Sequence, residues 1–124
     1  MKFSVAHGDF KEIEASSLIK FCTIESLRTD SFIKELNKIS LGMIKELYDT
    51  GEFSGKAEEE VVLYRYPGIK AGKLVLVGLG NYKSVNAESY RKAAGRMTQL
   101  NAVSNSEDLA VCFDIKEDIE AKGP

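Results

Sequence analysis

The chain has one histidine, His7, and two cysteines, Cys22 and Cys112. No second histidine or cysteine lies near His7 in sequence, so a metal site built on it would be poorly supplied with ligands. As a general base it would need an orienting partner, and the simpler reading is a strand-end histidine with a satisfied ring. Each cysteine sits inside an apolar, strand-like run, residues 19–24 and 109–113. Both read as small buried hydrophobes rather than as a disulfide. No apolar run approaches the roughly 20 residues that a membrane-spanning helix requires. The N-terminus turns polar by His7-Gly8-Asp9, too early for a secretory signal, which favours a cytoplasmic location. Charge of one sign is also lacking. Seventeen basic against nineteen acidic residues leave a net charge of −2, which argues against nucleic acid or an acidic membrane as partner of the whole chain.

What is present suits one soluble α/β domain. The 124 residues can enclose a real core, and the 44% hydrophobic and 29% charged fractions are ordinary for a globular protein. Residues 2–6 alternate polar and apolar, as a half-buried strand does. Residues 18–24 form a second strand, mostly apolar and rich in β-branched side chains. Asp30 then reads as an N-cap to a helix whose apolar face is Phe32, Ile33, Leu36, Ile39, Met43, Ile44 and Leu47. Gly42 interrupts that pattern as a close-packing point or a bend, and Gly51 is placed to end the helix in a left-handed turn.

A third strand covers residues 61–66 and closes on Pro67-Gly68, a turn pair. Residues 73–79 follow as a strand apolar on both faces, which a helix-covered interior strand requires. Asn86 caps a second helix with Glu88 in its first turn, spaced to pair with Lys92. The inner face of that helix is Tyr90, Ala93, Ala94, Met97 and Leu100. Residues 109–113 form the last strand, and from Ile115 onward the chain is charged and linker-like. The expected order is β-β-α-β-β-α-β, a mixed β-sheet flanked by helices in three layers.

Motifs for chemistry are few. Val77-Gly78-Leu79-Gly80-Asn81 follows a strand and precedes a helix, but a dinucleotide fingerprint needs a third glycine where Lys83 stands. Glycines shaping a strand exit is the favoured reading, and a nucleotide-binding module is the alternative. Ser16, Ser17 and Ser54 lack a nucleophile-elbow context. The run Glu58-Glu59-Glu60 reads as a solvated edge, and the remaining acidic pairs lack metal-loop spacing. Between Arg65 and Arg96, seven basic residues face Glu88 alone. That segment is a solvated face balanced by acidic neighbours in the fold, or a docking surface for another subunit.

Three stretches carry a resemblance. Phe53-Ser54-Gly55-Lys56 precedes a strand, Lys73-Leu74-Val75-Leu76-Val77-Gly78-Leu79-Gly80 forms the next, and Tyr90-Arg91-Lys92-Ala93-Ala94-Gly95 lies on the following helix. In that order and spacing the chain resembles the N-terminal domain of the cytosol (leucyl) aminopeptidase family, from its first strand to Phe113. The resemblance implies a macro-domain-like fold over residues 1–114, with residues 115–124 opening an interdomain linker to a catalytic domain not contained here. In that family the catalytic domain binds two divalent metals, zinc with manganese or magnesium possible, and removes N-terminal residues from peptides. The family is typically hexameric, and the N-terminal domain contributes to assembly and active-site access. The family's ligand signature, Asn-Thr-Asp-Ala-Glu-Gly-Arg-Leu, does not occur in these 124 residues. No catalytic, cofactor-binding or metal residue is therefore assigned within the chain. The partners implied are its own catalytic domain, homo-oligomer subunits and, through the parent enzyme, peptide substrates. Some relatives bind DNA through this region, which the net charge does not favour. The macro-domain likeness also makes a stand-alone nucleotide or ADP-ribose module the second hypothesis.

Overall fold

A computed structural model describes residues 2–5, 9–100 and 108–112, with the backbone alone for 2–5. His7, Phe113 and the linker-like segment from Ile115 lie outside the described residues. The elements in chain order are β1 (Lys2–Val5), β2 (Ser17–Thr23), α1 (Ser26–Thr29), α2 (Ser31–Ile39), α3 (Met43–Thr50), β3 (Glu60–Tyr64), β4 (Lys73–Gly80), α4 (Ala87–Thr98) and β5 (Asp108–Cys112). They build one five-stranded sheet in the order β1-β5-β2-β4-β3. The first four strands in that order run parallel, and β3 is the antiparallel edge paired to β4.

Three layers result, as the alternation of strands and helices required. On one face Leu18, Cys22, Leu74, Leu76 and Ala110 pack against Ile33, Leu36, Ile44 and Leu47 of α2 and α3. On the other, Ile19, Phe21, Val75, Val77 and Leu109 pack against Ala93 and Met97 of α4. The interior strands are buried on both sides, which is why β4 reads as a continuous apolar run. Cys22 and Cys112 form no disulfide with each other and are buried in the first of these faces. Burial pushes the Cys112 thiol up to about 12, against the opposing pull of the Lys20 charge.

The expected capping residues take their places. Asp30 accepts from the amides of Phe32 (2.7 Å) and Ile33 (3.3 Å), and Asn86 forms a reciprocal capping box with Ser89. Gly51 ends α3 at φ 78°. Three expectations are corrected. The single helix over residues 31–50 is two helices, because Leu41 (φ 60°) and Gly42 (φ 99°) are both left-handed. The break is recapped by side chains: Asn37 Oδ1 accepts from the Lys45 amide and Ser40 Oγ from the Met43 amide. Strand β3 stops at Tyr64, not residue 66, because Arg65 turns left-handed at φ 52°. Tyr66 then points inward, and its hydroxyl donates to the Leu36 carbonyl at 2.7 Å. Finally, Glu88 pairs with Arg91, one turn position short of Lys92.

The sequence reading missed one buried residue of consequence. Lys20, in the middle of β2, is 1% exposed and its ammonium lies 3.0 Å from the Asp30 carboxylate, itself 2% exposed. The Phe32 ring stands 5.4 Å from the same ammonium, with Phe10 stacked beyond it. Asp30 therefore caps α2 and neutralises the cation at the centre of the sheet. A variant Asp30→Ala is expected to lose about 3–5 kcal/mol in urea denaturation, because it strands a buried charge. Loss of an N-cap alone would cost about 1 kcal/mol. Adding Lys20→Met to Asp30→Ala should recover most of the difference; a double variant as unstable as Asp30→Ala would show that the ion pair is not the cause.

Candidate functional site

In parallel α/β sheets ligands bind at the crest formed by the carboxyl ends of the strands. Here that crest includes Thr23 at the end of β2 and Gly78-Leu79-Gly80 at the end of β4, the same glycines that the sequence singles out. A bulge shapes it. Cys22 pairs with Gly78 and Thr23 with Gly80, so Leu79 is left without a partner on β2 and the strand bends.

The crest is covered by residues 55–59 of the chain itself. The Gly80 amide donates to the Gly55 carbonyl at 2.9 Å, and the Gly78 amide to the Glu59 carbonyl at 2.8 Å. A Cβ on Gly78 would stand 2.0 Å from the Lys56 carbonyl oxygen, and one on Gly55 would stand 2.6 Å from that of Thr23. Gly80, at φ 94°, meets Ala57. These glycines admit backbone against backbone, so the space that a phosphate would need is taken by the covering loop.

Glu59 holds that loop. Its Oε1 accepts from the Ser54 amide (3.0 Å), the Ser54 hydroxyl (2.9 Å) and the Lys56 amide (3.0 Å). Burial pushes its pKa up, but these hydrogen bonds and the Lys56 charge outweigh burial and leave it lowered. Of the acidic run 58–60, expected as a solvated edge, Glu58 is exposed while the other two are engaged. Glu59 organises the loop, and Glu60 pairs with Arg96 at 3.0 Å. On the β2 side, Thr23 and Ser26 bond reciprocally: the Thr23 amide donates to Ser26 Oγ, and the Ser26 amide to Thr23 Oγ1. Glu25 accepts from the Tyr82 amide at 3.0 Å and ties α1 to the segment after β4.

The other sequence candidates are dispersed. Ser16 donates through its hydroxyl to Asp108 at 2.6 Å, and Ser54 to Glu59 as above; each carboxylate also accepts from a backbone amide, so both pairs tie down the chain and neither serine meets an imidazole among the described residues. Lys70, Arg91 and Arg96 of the basic segment pair with Glu12, Glu88 and Glu60, which favours the balanced-face reading. Among the described residues no three histidine, cysteine or carboxylate side chains are grouped to hold a metal. The metals that the resemblance implies do not fit these residues. No helix among them is long and apolar enough to cross a membrane.

The comparisons with known proteins agree with this geometry. Residues 21–122 match the model for the cytosol aminopeptidase family, N-terminal domain. A probable cytosol aminopeptidase of Idiomarina loihiensis is 32% identical over 114 residues, which cover 91% of this chain and 22% of the relative. Those of Aeromonas hydrophila and Methylobacillus flagellatus are 31% and 28% identical, again over 91% of the chain. The chain spans about a fifth of the length of the curated relatives it matches. A structure of a tomato leucine aminopeptidase mutant superimposes with a TM-score of 0.67 at 22% identity, covering 90% of this chain and 22% of that one, and shares the fold.

Two outcomes follow from the covered crest. Calorimetric titration with ADP-ribose is expected to give no saturable heat, and saturable binding would mean that residues 55–59 leave the crest in solution. The lowered pKa of Glu59 means that its ionised form favours the fold. That stability is present above the unfolded carboxylate pKa, about 4.3, and lost as pH falls through the lower folded value. Glu59→Gln should therefore cost about 1–2 kcal/mol at pH 7 and progressively less as the pH is taken below the unfolded value, read from urea midpoints along that series.

Proposed function

Since the chain belongs to the cytosol aminopeptidase family as its N-terminal domain, we propose that it is the non-catalytic accessory domain of a metal-dependent leucyl aminopeptidase. The observation that carries this reading is a family match spanning 21–122, in a chain that covers only about a fifth of each relative's length. Hydrolysis of N-terminal residues from peptides, and the zinc or manganese that it needs, belong in this reading to a catalytic domain outside residues 1–124. No step of the hydrolysis is assigned to side chains of this chain. Its role is to support assembly of the parent enzyme, a hexamer, in the cytoplasm and to shape access to the active sites. Its partners are its own catalytic domain and neighbouring subunits.

The crest supports the reading. A surface that many α/β domains use for ligands is here filled with the domain's own backbone through Gly55, Gly78 and Gly80. Such a domain contributes a rigid shape and its outer faces, not a reaction centre.

The test is direct. The 124-residue chain, supplied with Zn²⁺ or Mn²⁺, is expected to release no product from a leucine anilide, and turnover would overturn the proposal. Removing this domain from its parent polypeptide is expected to change the sedimentation coefficient of the assembly. An unchanged hexamer with unchanged KM for peptides would remove the assembly and access roles.

A further inference from the structure

Helices α1, α2 and α3 leave between them a cleft of about 400 Å³, made by residues other than those of the crest. Its floor is apolar: Leu27, Ile33 and Ile44, the last two 1% and 3% exposed. Its rim is cationic, with Arg28, Lys34 and Lys45 facing one carboxylate, Asp49. That carboxylate is already engaged, since Asp49 takes the Lys45 ammonium at 2.6 Å.

Arg28 and Lys34 differ from Lys45. Neither enters any ion pair among the described residues. Arg28 is nevertheless held in place. Its guanidinium donates to the Tyr48 hydroxyl and lies 5.0 Å from the centre of the Tyr48 ring. A guanidinium has five N–H donors in a planar fork that matches a carboxylate. The contact with Tyr48 orients the fork and leaves most of its donors free.

We propose that this cleft binds a small amphiphilic carboxylate, with an aliphatic body on Leu27 and the Tyr48 ring, backed by Ile33 and Ile44, and its charged end on Arg28 and Lys34. Two features select that class. The volume is near the lower end of small-molecule pockets, which span about 300–1,000 Å³. An apolar floor beneath a rim with two cations outside any ion pair rewards a ligand with both an alkyl group and an anion. Inorganic phosphate would leave the floor unfilled, and an alkylammonium would meet like charge at the rim. The proposal stands apart from the accessory-domain reading and holds or fails without it.

Octanoate, kept below its micellar concentration, is the probe, titrated into the 124-residue chain and followed by amide NMR shifts. Saturable binding is expected, with the largest shifts in residues 27–34 and 44–49. Octylammonium and inorganic phosphate are expected to bind at least tenfold more weakly. Arg28→Gln and Lys34→Gln alter exposed side chains, should leave the circular dichroism unchanged, and are each expected to weaken octanoate about tenfold, one charge-assisted contact. Lys38→Gln, on the same helix but outside the cleft, should bind as the parent does. Failure to saturate, equal affinity for octylammonium, or undiminished binding by both the Arg28 and Lys34 variants would each overturn the proposal.

Discussion

The position of the helices on one face of this domain follows from a single buried cation. Lys20 lies in the middle of β2, a strand of seven buried residues, and its ammonium has no route to water. A charge so placed destabilises any arrangement that does not bring it a partner. Asp30 supplies one, but only if the start of α2 stands directly over the centre of the sheet. The same carboxylate accepts from two backbone amides of the first turn. The helix dipole reinforces it there. One side chain therefore settles the helix start, the helix position and the burial of the lysine together. Phe32, next along the helix, closes the remaining side over the ammonium, and Phe10 packs on Phe32.

Much of the fold was legible because it rests on local rules. Period-2 and period-3.6 patterns reveal the strands and the long helical segment. Asp30, Asn86 and Gly51 mark ends by chemistry that acts within one turn. The failures have a different origin. Leu41 adopts a left-handed backbone that local preference disfavours, and the capping bonds of Asn37 and Ser40 sustain it. Arg65 ends β3 because Tyr66 has a distant partner in the Leu36 carbonyl. Lys20 stands as the one charge in a mostly apolar strand, and nothing nearby in sequence announces Asp30 as its counter-ion. The crest divides in the same way. The two glycines of β4 were visible as a strand exit, whereas the loop that covers them was not. The contact of Gly78 with Lys56 bridges two elements, and Glu59 resembled its two acidic neighbours until its three donors were placed around it.

The crest also shows how a place that one fold class often leaves open to ligands can be closed by the domain's own backbone. Parallel strands ending together beneath helix starts usually offer open backbone groups to a ligand. In this domain the amides of Gly78 and Gly80 are spent on residues 55–59, and the Ile24 amide on the Gly80 carbonyl. The hydrogen bonds that elsewhere would recognise a ligand here fasten the loop before β3 to the sheet. Relatives of this chain are named cytosol aminopeptidases and are several times longer.

The strand order has a consequence for how the sheet is made. Strand β5 lies between β1 and β2, with Lys2 opposite Asp108 and Ser17 opposite Leu109. Strand β1 thus leaves the ribosome well before the neighbour that it pairs with. Synthesis proceeds at about 5–20 residues per second, so β1 waits several seconds for a partner while β2, β3 and β4 can already pair. Closing a loop of that length is entropically costly and slow relative to local contacts. In the folded sheet β5 is the keystone, filling a slot with β2 as one wall and β1 as the other, so that the continuity of the sheet out to β1 depends on the most non-local pairing in it.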